Sequence, residues 1–447
     1  MVIEAQQKRI EALEREVREL RAQLRKDSSN SSKPPSSDPP WKKPEERRRP
    51  GERKRGGQLG HDGHERTRVK PDAVVDVRPA ECAHCGEALR GDDHCPTVHQ
   101  VTEVPEVVAR VTEYRLHALC CTHCDRRTAA TLPDDVPRSA FGPRLQAIVA
   151  LLTGYFHLSK RNAENMLEDI FHVQIGLGSV CNIEHAVSSA LAAPTEQAHQ
   201  ALKSARIAHA DETSWAVRNR LAWLWVGVTS KVEVFLVRGR RDANAARDLL
   251  GKTFSGVLVS DRLGSYDWLH SARRQACWAH IVRDFRALAD GDGEVKQLGD
   301  ELLAATHDLF DLWHRLIDGQ RRSHFPEAVA PIRQRISELL RRGAASSDRT
   351  ARKLCRGLLD VEPTLWLFTN RNGVEPTNNA AERALRHAVL WRKRSFGTQS
   401  ERGCRFVERI LTVVGSLRKQ GRNVLEYLTS TCRNALLGKP APSLLPA

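Results

Sequence analysis

The 447-residue chain predicts a multidomain α+β protein, and three observations carry that reading. A heptad-periodic N-terminus gives way to a Ser/Pro-rich basic stretch. Two C-x-x-C pairs follow, with residues 86–120 between them. Beyond residue 200, strand-like apolar runs alternate with helical ones and then lead into a long helical tract. A chain of this length exceeds one ordinary core. With 70 Lys and Arg against 55 Asp and Glu, its net charge of +15 favours polyanionic partners. No run is apolar for long enough to cross a bilayer, and Met1-Val2-Ile3-Glu4 lacks the apolar core of a secretion signal. Eleven cysteines, several in C-x-x-C spacing, fit a reducing compartment. The expectation is a cytoplasmic protein with no membrane partner.

Residues 1–26 are expected to form a coiled-coil helix. Ile3, Ile10, Val17 and Leu24 recur every seven residues, with Gln6, Leu13 and Leu20 between them. Such a helix supports self-association as a dimer or higher; a lone amphipathic helix packed on the body is the alternative. Residues 27–70 read as a flexible basic Ser/Pro linker, too polar to offset its chain entropy by burial. Its cations Lys42, Lys43, Arg47, Arg48, Arg49, Arg53, Lys54 and Arg55 are candidate contacts to a DNA backbone; a solvated spacer is the plainer reading.

Residues 71–137 suggest a zinc-binding, zinc ribbon-like domain. Cys82 and Cys85 with Cys121 and Cys124 supply four thiolates, brought together if Val101, Val104, Val107, Val111 and Tyr114 mark a β-hairpin. Cys95, Cys120, His94 and His99 are substitute ligands, and unmetallated cysteines are the alternative. Four thiolates leave no open position, so this zinc would be structural. Residues 138–200 read as a helix-turn-helix bundle. Apolar positions Leu145, Ile148, Val149, Leu152 and Phe156 share one side of a first helix. Ser159 can cap a second that runs through Phe171, and Ser179 a third from Val180 to Leu191.

The rest is expected to be an α/β core in two parts, 201–290 and 366–440, split by a helical insertion at 291–365. Residues 206–210 lead as a strand into Asp211. Residues 221–228 and 232–237 form hairpin arms, 243–250 a helix, and 257–260 a fourth strand ending at Asp261. Three strands, a helix and a fourth strand is the order of a ribonuclease-H-like fold, in which strands one and four are neighbours. Both aspartates would then meet at one sheet edge. A third acid, Glu382, lies in Asn378-Asn379-Ala380-Ala381-Glu382-Arg383 at a helix start. Buried carboxylates are costly unless compensated, and shared divalent cations are a common compensation. With Asn379 as N-cap, Glu382 would also satisfy a capping box without any metal. Arg383 and Arg386 could pair with Glu382 or hold phosphate, and Glu212 and Asp267 are the competing carboxylates.

These blocks carry a resemblance. Ser31-Ser32-Lys33-Pro34-Pro35-Ser36-Ser37-Asp38, the two cysteine pairs, His209-Ala210-Asp211-Glu212-Thr213, Ser260-Asp261-Arg262-Leu263-Gly264-Ser265-Tyr266, Cys277-Trp278-Ala279-His280 and Asn378-Asn379-Ala380-Ala381-Glu382-Arg383 together resemble transposases of the insertion sequence 66 family, the TnpC type. One departure is Thr377, where that family commonly has Asp. The resemblance implies an Asp-Asp-Glu triad of Asp211, Asp261 and Glu382 holding two Mg²⁺ ions, with Mn²⁺ an acceptable substitute. It also implies double-stranded DNA, both element ends and target, as partner, with accessory proteins of the same element as further candidates. The host would be bacterial and the DNA-bound protein nucleoid-associated. The alternatives are a catalytically inactive DNA-binding regulator and a Mg-dependent nuclease of the same fold. His209 and His280 are either metal or phosphate contacts or buried hydrogen-bonded histidines.

Overall fold

The computed structural model describes residues 67–446 except Gln320, together with Gln6, Gln7, Arg9, Ile10, Leu13, Val17 and Asn30. Most of the expected coiled coil and all eight cations of the basic linker lie outside the described residues. The apolar heptad positions that are described, Ile10, Leu13 and Val17, are helical and about half exposed, and Gln6 is helical and exposed. The chain divides into two units, Pro39–Ala109 and the remainder.

In the smaller unit the described residues form no helix or strand, and one antiparallel bridge, Glu81 to Ala88, closes a turn around Cys82 and Cys85. The amide of Cys82 donates to the Glu87 carbonyl at 2.8 Å and that of Gly86 to the Cys82 carbonyl at 2.9 Å, with Gly86 at φ 76°. In the larger unit β1 (Ala118–Cys120) and β2 (Arg127–Ala129) pair antiparallel and repeat this turn around Cys121 and Cys124. Cys121 donates to the Arg126 carbonyl and Asp125 to that of Cys121, both at 2.9 Å, with Asp125 at φ 56°. The hairpin expected over Val101–Tyr114 is not formed: no strand occurs there, and Val101, Val104 and Val111 are 75–90% exposed. Apolar steps of three and four do not match the two-residue period of a strand face, and Pro105 lacks a ladder donor.

Four helices follow: α1 (Pro143–Gly154), α2 (Lys160–Phe171), α3 (Leu177–Ala190) and α4 (Ala192–Lys203). Ser159 caps α2 as expected, its hydroxyl accepting from the Asn162 amide. The cap of α3 is Gly176 rather than Ser179, whose amide already donates to the Gly176 carbonyl inside the first turn.

The central sheet has the order β5-β4-β3-β6-β7. Its strands are β3 (Ile207–Val217), β4 (Arg220–Val228), β5 (Glu233–Arg238), β6 (Val257–Ser260) and β7 (Arg274–Ala276), with α5 (Ala243–Leu250) between β5 and β6. The first and fourth of these strands are parallel neighbours. β3 outruns its expected length because Arg218 and Asn219, at φ 49° and 61°, make a two-residue turn that continues the ladder with β4. Asp211 therefore lies mid-strand rather than at a strand end. β7 is a three-residue edge strand that the sequence pattern did not predict.

After β7 come α6 (Trp278–Ala289), α7 (Gly293–Ile317), α8 (Phe325–Ala344) and α9 (Arg349–Asp360), then α10 (Asn379–Ser395), α11 (Glu401–Lys419) and α12 (Val424–Leu436). One apolar cluster joins the sheet to α1–α5 and α10–α12; another joins β6, β7 and α6–α9. Gly154 of α1 has no room for a Cβ, which would stand 2.8 Å from the Ile410 side chain of α11. α11 also covers the sheet edge. Ser416 and Thr412 hydroxyls accept from the amides of Glu233 and Phe235, both at 3.0 Å, and Glu408 accepts from that of Val237 at 2.7 Å. Side chains four residues apart on a helix thus satisfy alternate N–H groups of β5 where a further strand would otherwise pair.

Candidate active site

Asp211 and Asp261 come together through the parallel pairing of β3 and β6. That ladder stops at His209 opposite Val259, so Asp211 stands two residues past it, and Asp261 follows Ser260, the last residue of β6. Strand alternation puts His209, Asp211, Thr213 and Trp215 on the face where α10 lies. There Arg392 donates to the Thr213 hydroxyl at 3.1 Å and Trp391 packs edge-on against Trp215. Asp211 accepts from the Glu212 amide at 2.8 Å and Asp261 from the Leu263 amide at 3.0 Å.

Glu382 arrives on α10 through the returning chain. Buried Gln275 accepts from the Phe368 amide at 2.9 Å and donates to the Leu365 carbonyl at 3.1 Å, and the Trp278 indole donates to that same carbonyl at 2.8 Å. Next the Trp278 amide donates to the Pro376 carbonyl at 2.9 Å, and the Asn378 amide to Cys277 Sγ at 3.1 Å. Asn378, fully buried, donates its side-chain amide to the Ala210 carbonyl at 2.8 Å. The alternative of a capping box is not formed. Asn378, not Asn379, holds the N-cap position, it makes no side-chain cap bond, and Glu382 Oε1 is buried without a hydrogen-bond partner. The nearest nitrogens are His280 Nδ1 and the cationic Arg283 Nη2, each 3.8 Å from that oxygen.

The electrostatics join the three acids. Burial holds the Asp211 carboxyl well above the usual range, and the charges of Glu212, Asp261 and Glu382 push the same way. An uncompensated cluster of this kind stabilises itself by taking up protons or cations. The rivals are already satisfied. Glu212 Oε1 accepts twice from Arg241, at 2.9 and 2.7 Å, and its Oε2 accepts from the Tyr266 hydroxyl at 3.1 Å. Asp267 pairs with Arg274.

Beside the acids lie His209 and His280, each with a buried, unpartnered Nδ1. Burial lowers both to about 4. Lys419 and Arg383 add to this at His209, and Arg283 and Arg262 at His280, so both imidazoles are neutral at pH 7. Asn378 Oδ1 is a further buried atom without a partner. Cys277, His280 and Glu382 offer ligand atoms that all lie within 4.8 Å of one another. Sequence reasoning did not assign Cys277, Asn378 or Arg283 to the site. The C-x-x-H spacing of Cys277 and His280 was visible, but nothing in one dimension paired it with Glu382.

The site belongs to a recognisable lineage: residues 138–405 match the family described as transposase IS66 family. The chain belongs to the IS66 transposase family. Within this IS66 member the matched span holds all three acids, the helices α1–α4 and the whole central sheet. Residues 2–67 match a family of unknown function. Two similar proteins come from Sinorhizobium fredii (strain NBRC 101917 / NGR234). One, the uncharacterized protein y4qI, is 26% identical over half of this chain and 45% of its own length. The other, the uncharacterized protein y4hP, is 23% identical over 78% of this chain and 69% of its own length.

The remaining described candidates of this transposase-family chain are two arginines on the helix of Glu382 and the paired cysteines. Arg383 and Arg386 are exposed on α10, and Arg383 lines a cleft of about 200 Å³ with Tyr155, Glu233, His387, Arg418 and Lys419. The cysteine pairs occupy the two similar turns described above, one in each unit. Hydrogen bonds from the backbone amides of His84 and Cys85 lower the Cys82 thiol, and those of Cys124 and His123 lower Cys121. A larger groove of about 1010 Å³ opens at the β3–β4 turn, where Arg218, Arg220, Arg238, Arg402 and Arg405 line it. Its lining begins at Val217, six residues along β3 from Asp211, or about 20 Å at strand rise. Among the described residues no helix is long and apolar enough to cross a membrane.

Proposed function

We propose that this IS66 family member is the DNA transposase of an insertion sequence, cutting at terminal inverted repeats and joining the freed ends to target DNA on a ribonuclease-H-like core. The reading is supported by the parallel pairing of β3 with β6 beside Asp211 and Asp261 and by the Asn378–Ala210 hydrogen bond at the start of the helix that carries Glu382; burial, then Glu212, Asp261 and Glu382, raise the Asp211 carboxyl. Asp211, Asp261 and Glu382 would hold two Mg²⁺ ions, which when bound supply Lewis-acid activation of the attacking oxygen and charge neutralisation at the leaving one. The donor set fits that pair: three carboxylates, one with a buried unpartnered oxygen, in a field that favours cations.

The protein's own groups position the reactants. The Asn378–Ala210 hydrogen bond fixes Glu382 against β3. Arg283, Arg383 and Arg386 on neighbouring helices offer charge to phosphate oxygens, and the neutral histidines avoid adding positive charge that would compete with cation uptake. Phosphoryl transfer arranged this way depends on positioning and electrostatics and needs no covalent protein intermediate.

The other parts take supporting roles. The five-arginine groove suits a sugar-phosphate backbone, as do the basic linker residues Lys42 to Arg55. α2 and α3 serve as the helix-turn-helix for end recognition, residues 1–26 pair subunits, and the cysteine pairs Cys82–Cys85 and Cys121–Cys124 supply thiolates for structural Zn²⁺. The two like turns, each closed by a backbone hydrogen bond to the carbonyl of its first cysteine, are the observation that favours zinc.

The test is a strand-joining assay on element-end oligonucleotides with the full chain. Wild type should cleave and join in Mg²⁺, and Asp261→Ala should bind ends but do neither. End binding without cleavage by wild type would make the protein a regulator with an inert core, and hydrolysis without joining would make it a nuclease.

A further inference from the structure

We propose that Cys277, His280 and Glu382 form a binding site for a borderline-soft divalent cation of the zinc class. The proposal rests on the transposase reading only in that Glu382 is shared with the carboxylate cluster. Its ligands come from two helices. Cys277 precedes the first residue of α6 and His280 lies three positions on, a spacing that turns both toward the same side. Glu382 is brought opposite them by the hydrogen bond from the Asn378 amide to Cys277 Sγ at 3.1 Å.

Three observations converge on one ion. The ligand atoms of all three residues lie within 4.8 Å of one another. His280 Nδ1 and Glu382 Oε1 are buried without hydrogen-bond partners, facing each other at 3.8 Å. That separation is too long for a hydrogen bond. It is close to the roughly 3.4 Å expected between two nitrogen or oxygen ligands each about 2.1 Å from a tetrahedral ion. The third ligand, fully buried Cys277, receives a backbone N–H, the kind of outer contact that stabilises a ligating sulfur.

Donor chemistry selects the cation. Sulfur, imidazole nitrogen and one carboxylate oxygen suit Zn²⁺, whereas Mg²⁺ keeps to oxygen ligands and water. Three protein ligands leave the fourth tetrahedral position open, unlike a four-cysteine site. Arg283, whose Nη2 is 3.8 Å from the same Glu382 oxygen, is the cation that an ion must outcompete, while Arg262 is paired with Asp284.

The experiment counts metal. Full-length protein is equilibrated with ZnCl₂ in excess MgCl₂, dialysed, and its zinc measured per chain by inductively coupled plasma mass spectrometry. Cys277→Ala with His280→Ala should lower the count by about one ion, and Cys82→Ser with Cys121→Ser should lower it separately, so that the two losses add. A folded Cys277→Ala/His280→Ala protein that retains the wild-type count overturns the proposal. Should that variant misfold, cobalt offered to wild type with its cysteine turns already zinc-loaded should give tetrahedral visible bands with thiolate charge transfer; their absence overturns it equally. Zinc is counted without DNA. A protein that binds this ion yet never joins strands therefore sinks the transposase reading alone, and one that joins strands without binding it sinks this proposal alone.

Discussion

The side-chain amide of Asn378 donates to the backbone carbonyl of Ala210 at 2.8 Å, tying the start of α10 to the residue before Asp211. Two segments 168 positions apart are registered by this one buried bond. Asn378→Ala should leave the Ala210 carbonyl unsatisfied and cost about 1–3 kcal/mol in urea unfolding. Cleavage should fall further than DNA binding, because Glu382 loses its reference to β3. Undiminished cleavage in a folded variant would show that Glu382 is positioned by other contacts.

Asp211→Asn should raise the melting temperature of the metal-free protein. The sign follows from its raised carboxyl: the fold disfavours the charged form at neutral pH, and the amide removes that charge. In wild type, added Mg²⁺ should raise the melting temperature; in the variant that rise should vanish together with strand cleavage. Calorimetry with and without Mg²⁺ reads both effects, and an unchanged Mg²⁺ response would remove Asp211 from the cation site.

His157 predicts an acid-labile packing point. Burial lowers it to about 4, with the positive charges of His387 and Arg394 adding to the effect. Between its ordinary value near 6.5 and about 4 the unfolded chain holds the extra proton and the fold does not, so stability is lost as pH falls through that window. His157→Asn, which tolerates the left-handed backbone at φ 58°, should flatten the dependence by about one proton in denaturation series between these pH values.

Thr412→Val should cost about 1–3 kcal/mol by stranding the buried amide of Phe235. Hydrogen exchange at Phe235 should accelerate first. Wild-type protection in the variant would mean that α11 does not guard this edge.

Arg402→Glu with Arg405→Glu should weaken DNA binding alike for element ends and random sequence. The slope of log affinity against log salt should shrink by about 0.9 for each phosphate that the variant no longer neutralises. A selective loss at element ends would assign these arginines to sequence recognition instead.

Local signals were legible in the sequence where they are strong. The β4–β5 hairpin, α5, β6 with Asp261, the Ser159 cap and the helices α7 and α8 all follow from apolar period and capping chemistry. Signals were weak where pairing depends on a partner. Nothing local announces that β3 runs to Val217, since Arg218-Asn219 is an uncommon two-residue turn, and β7 is too short to carry a period.

The sequence by itself determined the transposase kinship and the order from β3 through α5 to β6, because these are carried by residue types at short spacing. Only the tertiary structure decided that Asn378 is a tether rather than a flank, that Glu382 is no capping residue, and that Cys277 and His280 face it. Those facts depend on contacts between segments 101 to 168 positions apart, and chain order holds no distances at that range.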